Sequence, residues 1–337
     1  MTIGLGFIGV GNHGRHHLHE FSRLPGAAPR LVCDLNPAHV EAAQRDFPGT
    51  TAADAATLVA SPAIDAVVIC TPAESHRALV ELALAHGRHV LVEKPLAHDP
   101  ADARAIAALA AAHPDRVVMV GHCERFNRAY LDARRAVTDG EVGTPRFIAA
   151  SRLSPLHLNN RAWRLGPLDT AVHDIDLILW LMGDRPVSVT ARAAERATGA
   201  GWDHVTYDIR FAGGALAQGH IGWVDFRNGY PLSQNAHPRL FLDGTGGSLT
   251  VNLWQRPVAV HNNQANRYFW PDEVVIGYGD YATVVTAADA AFLQAIAHGG
   301  PSPMPAADAA TALAVAHAAW QSAREDGRTI PLPPPAP

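Results

Sequence analysis

The chain has 337 residues, 48% of them hydrophobic and 18% charged, with a formal net charge of −5 at pH 7. That balance excludes a disordered chain, and the length predicts two domains rather than a single core. No basic stripe is present, which excludes a nucleic-acid partner, and no apolar run reaches the ~18 residues of a membrane helix.

Met1 leads into a strand-like stretch with no basic n-region, so no signal peptide is expected. The three widely spaced cysteines, Cys33, Cys70 and Cys123, read as small buried hydrophobes in a reducing, cytoplasmic setting. The first strand is expected over residues 3–8 and runs into two overlapping glycine patterns. Gly4-Leu-Gly6-Phe-Ile-Gly9 and Gly9-Val-Gly11-Asn-His-Gly14 both match G-x-G-x-x-G. Only the second follows a full strand and opens a helix, predicted over 15–24. Gly9 then allows the tight turn, Gly11 lets a diphosphate approach the backbone, and Gly14 lets helix pack on strand. Asn12 and His13 lie beside the phosphates at the helix N-terminus. His13 and His17 share a helix face, as a metal pair does. No carboxylate or cysteine completes a set, so they read as solvated helix residues and no metal is expected.

The second strand, 30–33, ends at Asp34, 20 residues after Gly14. A carboxylate there accepts hydrogen bonds from ribose hydroxyls and repels a 2′-phosphate, which favours NAD over NADP. Its alternative role is a helix cap. A helix at 38–46 is followed by a strand at 66–70, closed by Thr71-Pro72 with Glu74, Ser75 and His76 beyond. Next come a helix at 75–86, a strand at 89–92 ending in Glu93-Lys94-Pro95, a helix at 100–113 and a strand at 117–120. Short apolar strands separated by helices predict a parallel, doubly wound α/β sheet, a Rossmann domain over residues 1–122. Ligands of such sheets lie beyond the carboxyl ends of the strands. Thr71, Pro72, His76, Glu93 and Lys94 therefore join the glycine loop as cofactor-side residues. Lys94 could also hydrogen-bond a reacting hydroxyl.

One more helix fits 128–139. From Pro145 longer strands dominate, best at 187–194, 205–211, 216–224, 239–242 and 248–253, with turns at Gly213-Gly214 and 244–247. A helix at 170–182 interrupts them and follows the start of Asp169-Thr-Ala-Val-His173-Asp-Ile-Asp176. Asp169 and His173 share a helix face, where a carboxylate can orient an imidazole and raise its basicity. Helices at 281–297 and 306–324 close the second domain, 123–330, and the proline-rich tail 330–337 is expected to be loose.

Gly9-Val-Gly11-Asn-His-Gly14, Glu93-Lys94-Pro95 and Asp169-Thr-Ala-Val-His173-Asp-Ile-Asp176, in this order in one chain, resemble the glucose-fructose oxidoreductase/inositol dehydrogenase family, Gfo/Idh/MocA. Thr71-Pro72-Ala-Glu-Ser-His76, Val120-Gly-His-Cys-Glu-Arg-Phe126-Asn127 and Gly244-Thr245-Gly-Gly247 are similar too, so the resemblance spans nearly the whole chain. It implies a Rossmann domain followed by an α+β domain on a large, open, mostly antiparallel sheet, with the last helices packing back toward the first domain. It implies self-association to a homodimer or homotetramer. It also implies NAD-dependent hydride transfer between nicotinamide and a hydroxyl-bearing carbon of a sugar, cyclic polyol or nucleotide sugar. Lys94, Asp169 and His173 are then catalytic. Lys94 polarises the hydroxyl, His173 takes its proton, and Asp169 positions one of them, with the division between Lys94 and His173 left open.

Trp163-Arg164 resembles a pair that lies near the cofactor in relatives, and His157, Asn159 and Asn160 are candidate hydroxyl-binding groups. The stretch 121–127 with 171–176 is similar to members acting on nucleotide-linked amino sugars. Two departures stand out. Only Gly166 remains of a glycine run before the Asp-x-x-x-His helix, and Ala171 stands where many members carry glycine. Two other readings keep the same fold: a non-catalytic NAD-binding sensor, and tightly held NAD used in internal redox on a glycoside.

Overall fold

The computed structural model describes residues 2–155, 165–195, 201–224, 239–253, 256–262, 266–269 and 279–333. The chain divides into two units, Met1–Cys123 with Tyr281–Leu313, and Glu124–Asp280 with Ala314–Pro337.

The first unit alternates β1 (Ile3–Ile8), α1 (Asn12–Arg23), β2 (Ala27–Cys33), α2 (Pro37–Asp46), β3 (Thr51–Ala52), α3 (Ala55–Ala60), β4 (Ala66–Ile69), α4 (His76–Ala85), β5 (His89–Val92), α5 (Pro100–Ala112) and β6 (Val118–Val120). All six strands are parallel, in the order β3-β2-β1-β4-β5-β6. The order reverses between β1 and β4, and the carboxyl ends of those strands frame the crevice where such sheets bind ligands. β1 and β4 are buried along their whole length, and Leu5, Phe7, Val67, Val68 and Val90 are fully buried. Each such side chain contributes roughly 1.5–3 kcal/mol.

The helices start where the sequence supplies caps. Asn36 accepts from the Ala38 amide ahead of α2, and Asp99 accepts from the Ala101 and Asp102 amides ahead of α5. Proline stands in the first turn of both. The Gly4 and Gly6 pattern lies inside β1. A Cβ on Gly4 would come 2.1 Å from the Ala63 carbonyl oxygen, and one on Gly6 would come 2.5 Å from Leu58 Cδ2, so these glycines serve packing. β3 and α3 were not expected from the sequence. A two-residue strand and a six-residue helix are too short for periodicity to register, although Asp54, which accepts from Thr57, is a legible cap.

The second unit contains α6 (Arg128–Thr138), β7 (Pro145–Pro155), α7 (Leu168–Met182), β8 (Pro186–Ala194), β9 (His204–Phe211), β10 (Leu216–Val224), β11 (Arg239–Gly244), β12 (Gly247–Asn252), β13 (Arg256–Asn262), β14 (Asn266–Phe269) and β15 (Ile330–Pro331). Among the described residues its strands form one nine-stranded sheet, β14-β13-β12-β11-β7-β10-β9-β8-β15. Only β7 and β10 pair in parallel, and every other pairing is antiparallel. β9 shows why one face is covered. Val205, Tyr207, Ile209 and Phe211 are buried, while Thr206, Asp208 and Arg210 between them are exposed. Nearly every residue of α7 is buried, and it ends on Gly183 in the left-handed conformation at φ +65°.

Helix α8 (Gly279–His298) belongs almost wholly to the first unit, and α9 (Ala306–Arg324) is divided at Leu313. The tail is not loose at its start. Ile330 is buried, β15 pairs with β8, and the Leu332 amide donates to the Val187 carbonyl at 2.9 Å. A buried isoleucine outweighs the neighbouring prolines, which an edge strand tolerates. Among the described residues no helix is long and apolar enough to cross a membrane.

Candidate active site

The glycine turn after β1 separates what the protein needs from what a ligand needs. Gly9 has φ +85°, and a Cβ on it would lie 2.6 Å from the Cys70 carbonyl oxygen. A Cβ on Gly14 would lie 1.9 Å from the Gly9 carbonyl oxygen. Both positions are closed to side chains by the chain itself. Gly11 differs. It sits at φ −64°, and the nearest atom to a Cβ there would be His39 Cε1 at 3.6 Å, an ordinary contact. The described residues therefore leave room for a side chain at 11 that the sequence does not use. Gly11 is the N-cap of α1, with no side-chain hydrogen bond at the cap and no acidic residue in the first turn. A helix N-terminus of this kind suits an anion, and the cradle left clear at Gly11 fits a diphosphate.

Gly11→Ala is expected to leave the thermal midpoint unchanged and to weaken NADH binding about tenfold or more, ~1.4 kcal/mol. Equal binding in a fluorescence titration would remove the ligand explanation for this glycine.

Asp34, at the end of β2, closes the same turn. Its carboxylate accepts from the Val10 amide at 2.8 Å and from the Asn36 amide at 2.8 Å, and His39 Nδ1 lies 3.3 Å away. Asn36, not Asp34, caps α2. At the end of β4, Thr71 Oγ1 and Ser75 Oγ lie 2.7 Å apart, and Ser75 Oγ donates to the Pro72 carbonyl. His76 is buried behind this turn. Its ring nitrogens face the Thr71 carbonyl at 2.8 Å and the Leu96 carbonyl at 3.1 Å, which ties the end of β4 to the segment following Lys94. Burial holds the His76 pKa below the ordinary histidine value.

The reading of His13 and His17 as solvated is corrected for His17. It is 2% exposed, and the missing carboxylate arrives from the end of β5. Glu93 Oε1 lies 3.1 Å from His17 Nε2, and Glu93 Oε2 lies 3.3 Å from His13 Nε2. The Lys94 amide donates to Glu93 Oε2 at 3.1 Å. A Cβ on Gly121 would come 2.2 Å from Glu93 Oε1, so that glycine makes room for the carboxylate. Burial alone would raise the Glu93 pKa, but His13 and His17 hold it well below the usual carboxylate range. Lys94 itself is half-buried, and its bond to Pro95 is cis. Sequence spacing could not reveal this cluster, because its members come from α1 and from the residues that follow β5 and β6.

In the second unit Asp169 and His173 lie one turn apart on α7, and His173 is buried. Asp169 accepts from the Leu165 amide at 2.8 Å, which folds the preceding segment onto the helix. Two buried arginines hold α7. Arg125 donates through Nε and Nη2 to Asp176 at 2.7 and 2.6 Å. Arg152, fully buried on β7, donates to both oxygens of Asp174 at 2.8 and 3.0 Å and to Glu124 at 3.1 Å. Burial works against the Arg152 charge, but Asp174 and Glu124 outweigh it. Arg152 was missed in the sequence although a signal exists. It occupies the buried stripe of Ile148, Ala150 and Ser154 on β7, where an arginine requires acidic partners.

The structure thus gathers Gly9, Gly11, Asn12, His13, Gly14, Asp34, Thr71, Pro72, Glu93 and Lys94 at one edge of the first sheet, and Asp169 with His173 on one helix of the second unit. His157, Asn159, Asn160, Trp163 and Arg164 lie outside the described residues.

Comparison with known proteins follows the same division. Residues 3–122 match the model of an oxidoreductase family described as an NAD-binding Rossmann fold, GFO_IDH_MocA, and residues 130–250 match a GFO/IDH/MocA C-terminal domain. An inositol 2-dehydrogenase of Agrobacterium fabrum is 32% identical over 191 residues, 56% of each chain. The match thus spans little more than half of that relative. An inositol 2-dehydrogenase of Rhizobium meliloti is 28% identical over 339 residues, covering 96% of this chain and 98% of the relative. The crystal structure of an oxidoreductase domain protein from Kribbella flavida superposes with a TM-score of 0.85 at 26% identity, covering 99% of this chain and all of that one.

Proposed function

We propose, from the premise that the chain belongs to the Gfo/Idh/MocA oxidoreductase family with an NAD-binding Rossmann domain, that it oxidises a secondary hydroxyl of a cyclic polyol or sugar. The observation that carries the reading is the cradle at Gly11, kept clear beside an uncapped helix N-terminus and the Asp34 carboxylate. The inositol 2-dehydrogenase relatives support the polyol as the substrate class.

Bound NAD would supply the hydride acceptor. The α1 N-terminus would hold its diphosphate, and Asp34 would accept from its ribose hydroxyls. Oxidation takes a hydride from carbon and a proton from oxygen, so the chain must provide a proton acceptor. Lys94 donates to the substrate oxygen and polarises it. His173 accepts the proton, and Asp169 sets its orientation. The absorbance of NADH, followed during incubation with NAD and a panel of inositols, hexoses and UDP-sugars, tests the proposal. The expected result is turnover with at least one inositol or hexose. No NADH from any of them, while NADH still binds, would sink the dehydrogenase reading and leave a sensor. Dinucleotide that survives purification would point instead to internal redox.

A further inference from the structure

The buried cluster behind Lys94 does more than fill space. His17 stands between two carboxylates of the first unit. Its Nδ1 lies 2.9 and 3.1 Å from the two oxygens of Asp289 on α8, and its Nε2 lies 3.1 Å from Glu93 Oε1. An ionised carboxylate only accepts hydrogen bonds. With both carboxylates ionised, both ring nitrogens must carry protons for both contacts to be hydrogen bonds, which makes the ring an imidazolium. Its face stacks on Phe21, with ring centroids 6.4 Å apart. A second bond ties the same two helices, from Thr286 Oγ1 on α8 to Glu20 on α1 at 2.6 Å.

We propose that Asp289 and His17 are positioning residues: a buried carboxylate–imidazolium–carboxylate strut from α8 to the end of β5 fixes Glu93, and through Glu93 the Lys94 turn and the His13 ring at the dinucleotide edge. The bearing on turnover rests on the dehydrogenase reading above, whereas the bearing on dinucleotide binding does not. The titratable groups around the strut are His13, His16 and Glu20 on α1, Glu93 at the end of β5 and Asp289 from α8, with the Cys70 thiol close to both acids.

Burial alone would lower the His17 pKa, yet Asp289 and Glu93 push it up to about 10. One imidazolium serves two acids, and the balance is uneven. Glu93 also has His13 and the Lys94 amide, and it keeps its charge firmly. Asp289 is pushed upward by burial, with Glu93 and Glu20 adding repulsion. Because the folded pKa of His17 is raised, its stabilisation is fully present below about 6.5, the unfolded value, and is lost as pH rises through about 10. For Glu93 the sign reverses, and its contribution is present above the unfolded value near 4.5 and lost as pH falls. The strut is therefore intact across neutral pH.

The test uses the full chain with ¹⁵N-labelled histidine and NADH binding by fluorescence. The His17 signals are assigned by their loss in His17→Gln. In the wild type both ring nitrogens should be protonated and should not titrate between about pH 6 and pH 9. Asp289→Asn removes one anchor, so the midpoint should fall into that range. NADH binding in this variant should be within about twofold of wild type near pH 6. Near pH 9 it should be weaker by about tenfold, the scale of one charge-assisted hydrogen bond. A purely structural lesion would weaken binding equally at both pH values. Asp289→Glu should restore tight binding near pH 9.

Titration of wild-type His17 within the range would overturn the proposal, and this holds even if Asp289→Asn does not fold. So would wild-type binding by Asp289→Asn near pH 9, or one equivalent of zinc in the purified protein whose removal abolishes NADH binding. If polyols give no turnover while these results hold, the dehydrogenase reading fails and the strut stands.

Discussion

Lys94→Ala and His173→Ala are each expected to lower kcat on the polyol about 10²- to 10⁴-fold, the range of a positioned proton-transfer group. NADH binding should persist in both variants, for local reasons. The tie that holds the Lys94 turn runs from its backbone amide to Glu93, so deleting the side chain leaves the turn anchored. His173 sits on a helix held by Arg125–Asp176 and Arg152–Asp174, and neither pair involves the imidazole. Loss of the ring should leave the fold intact by circular dichroism. The two variants also separate the roles. Removing the group that accepts the proton should flatten the ascending limb of the pH–rate profile. Removing the group that only polarises the hydroxyl should lower the profile and preserve its shape. Wild-type turnover in either variant would remove that residue from the chemistry.

The second large effect is on stability. Arg152→Ala leaves Asp174 and Glu124 buried without their guanidinium, and the expected loss is about 3–5 kcal/mol. Buried Tyr207 and Tyr130 lie in the field of the same network. Burial, with help from the nearby acids, pushes both phenols up, so both stay neutral and add no further negative charge to the network. Urea unfolding followed by circular dichroism measures the loss. Adding Asp174→Ala in the Arg152→Ala background should cost far less than it does in the wild type, because the acid then has no charged partner to lose. A loss below about 1 kcal/mol for Arg152→Ala would place the pair among surface-like ion pairs and contradict its burial. The prediction bears on the site as well. Asp174 is one residue from His173, and the arginine that holds it sets the rotation of α7 about its axis.

Most of the first unit was legible because its information is local. Short apolar strands, caps such as Asn36 and Asp99, and a glycine turn opening a helix each occupy a few consecutive residues. The hairpins at Gly213-Gly214 and at 244–247 were legible for the same reason. What failed had no local signature. β3 and α3 are too short, and Ile330 reads as part of a proline tail until β8 is placed beside it.

By itself the sequence determined the strand–helix alternation, the glycine turn with its acid at Asp34, and the pairing of Asp169 with His173 on one helix face. Each follows from backbone geometry and residue spacing within a single element. Only the tertiary structure decided that His17 is buried, that Glu93 and Asp289 are its partners, and that Arg152 holds α7 through Asp174. Those assignments depend on which charges share a low-dielectric interior. A charge interacts through space with whatever folding brings near it, and distance along the chain does not encode that.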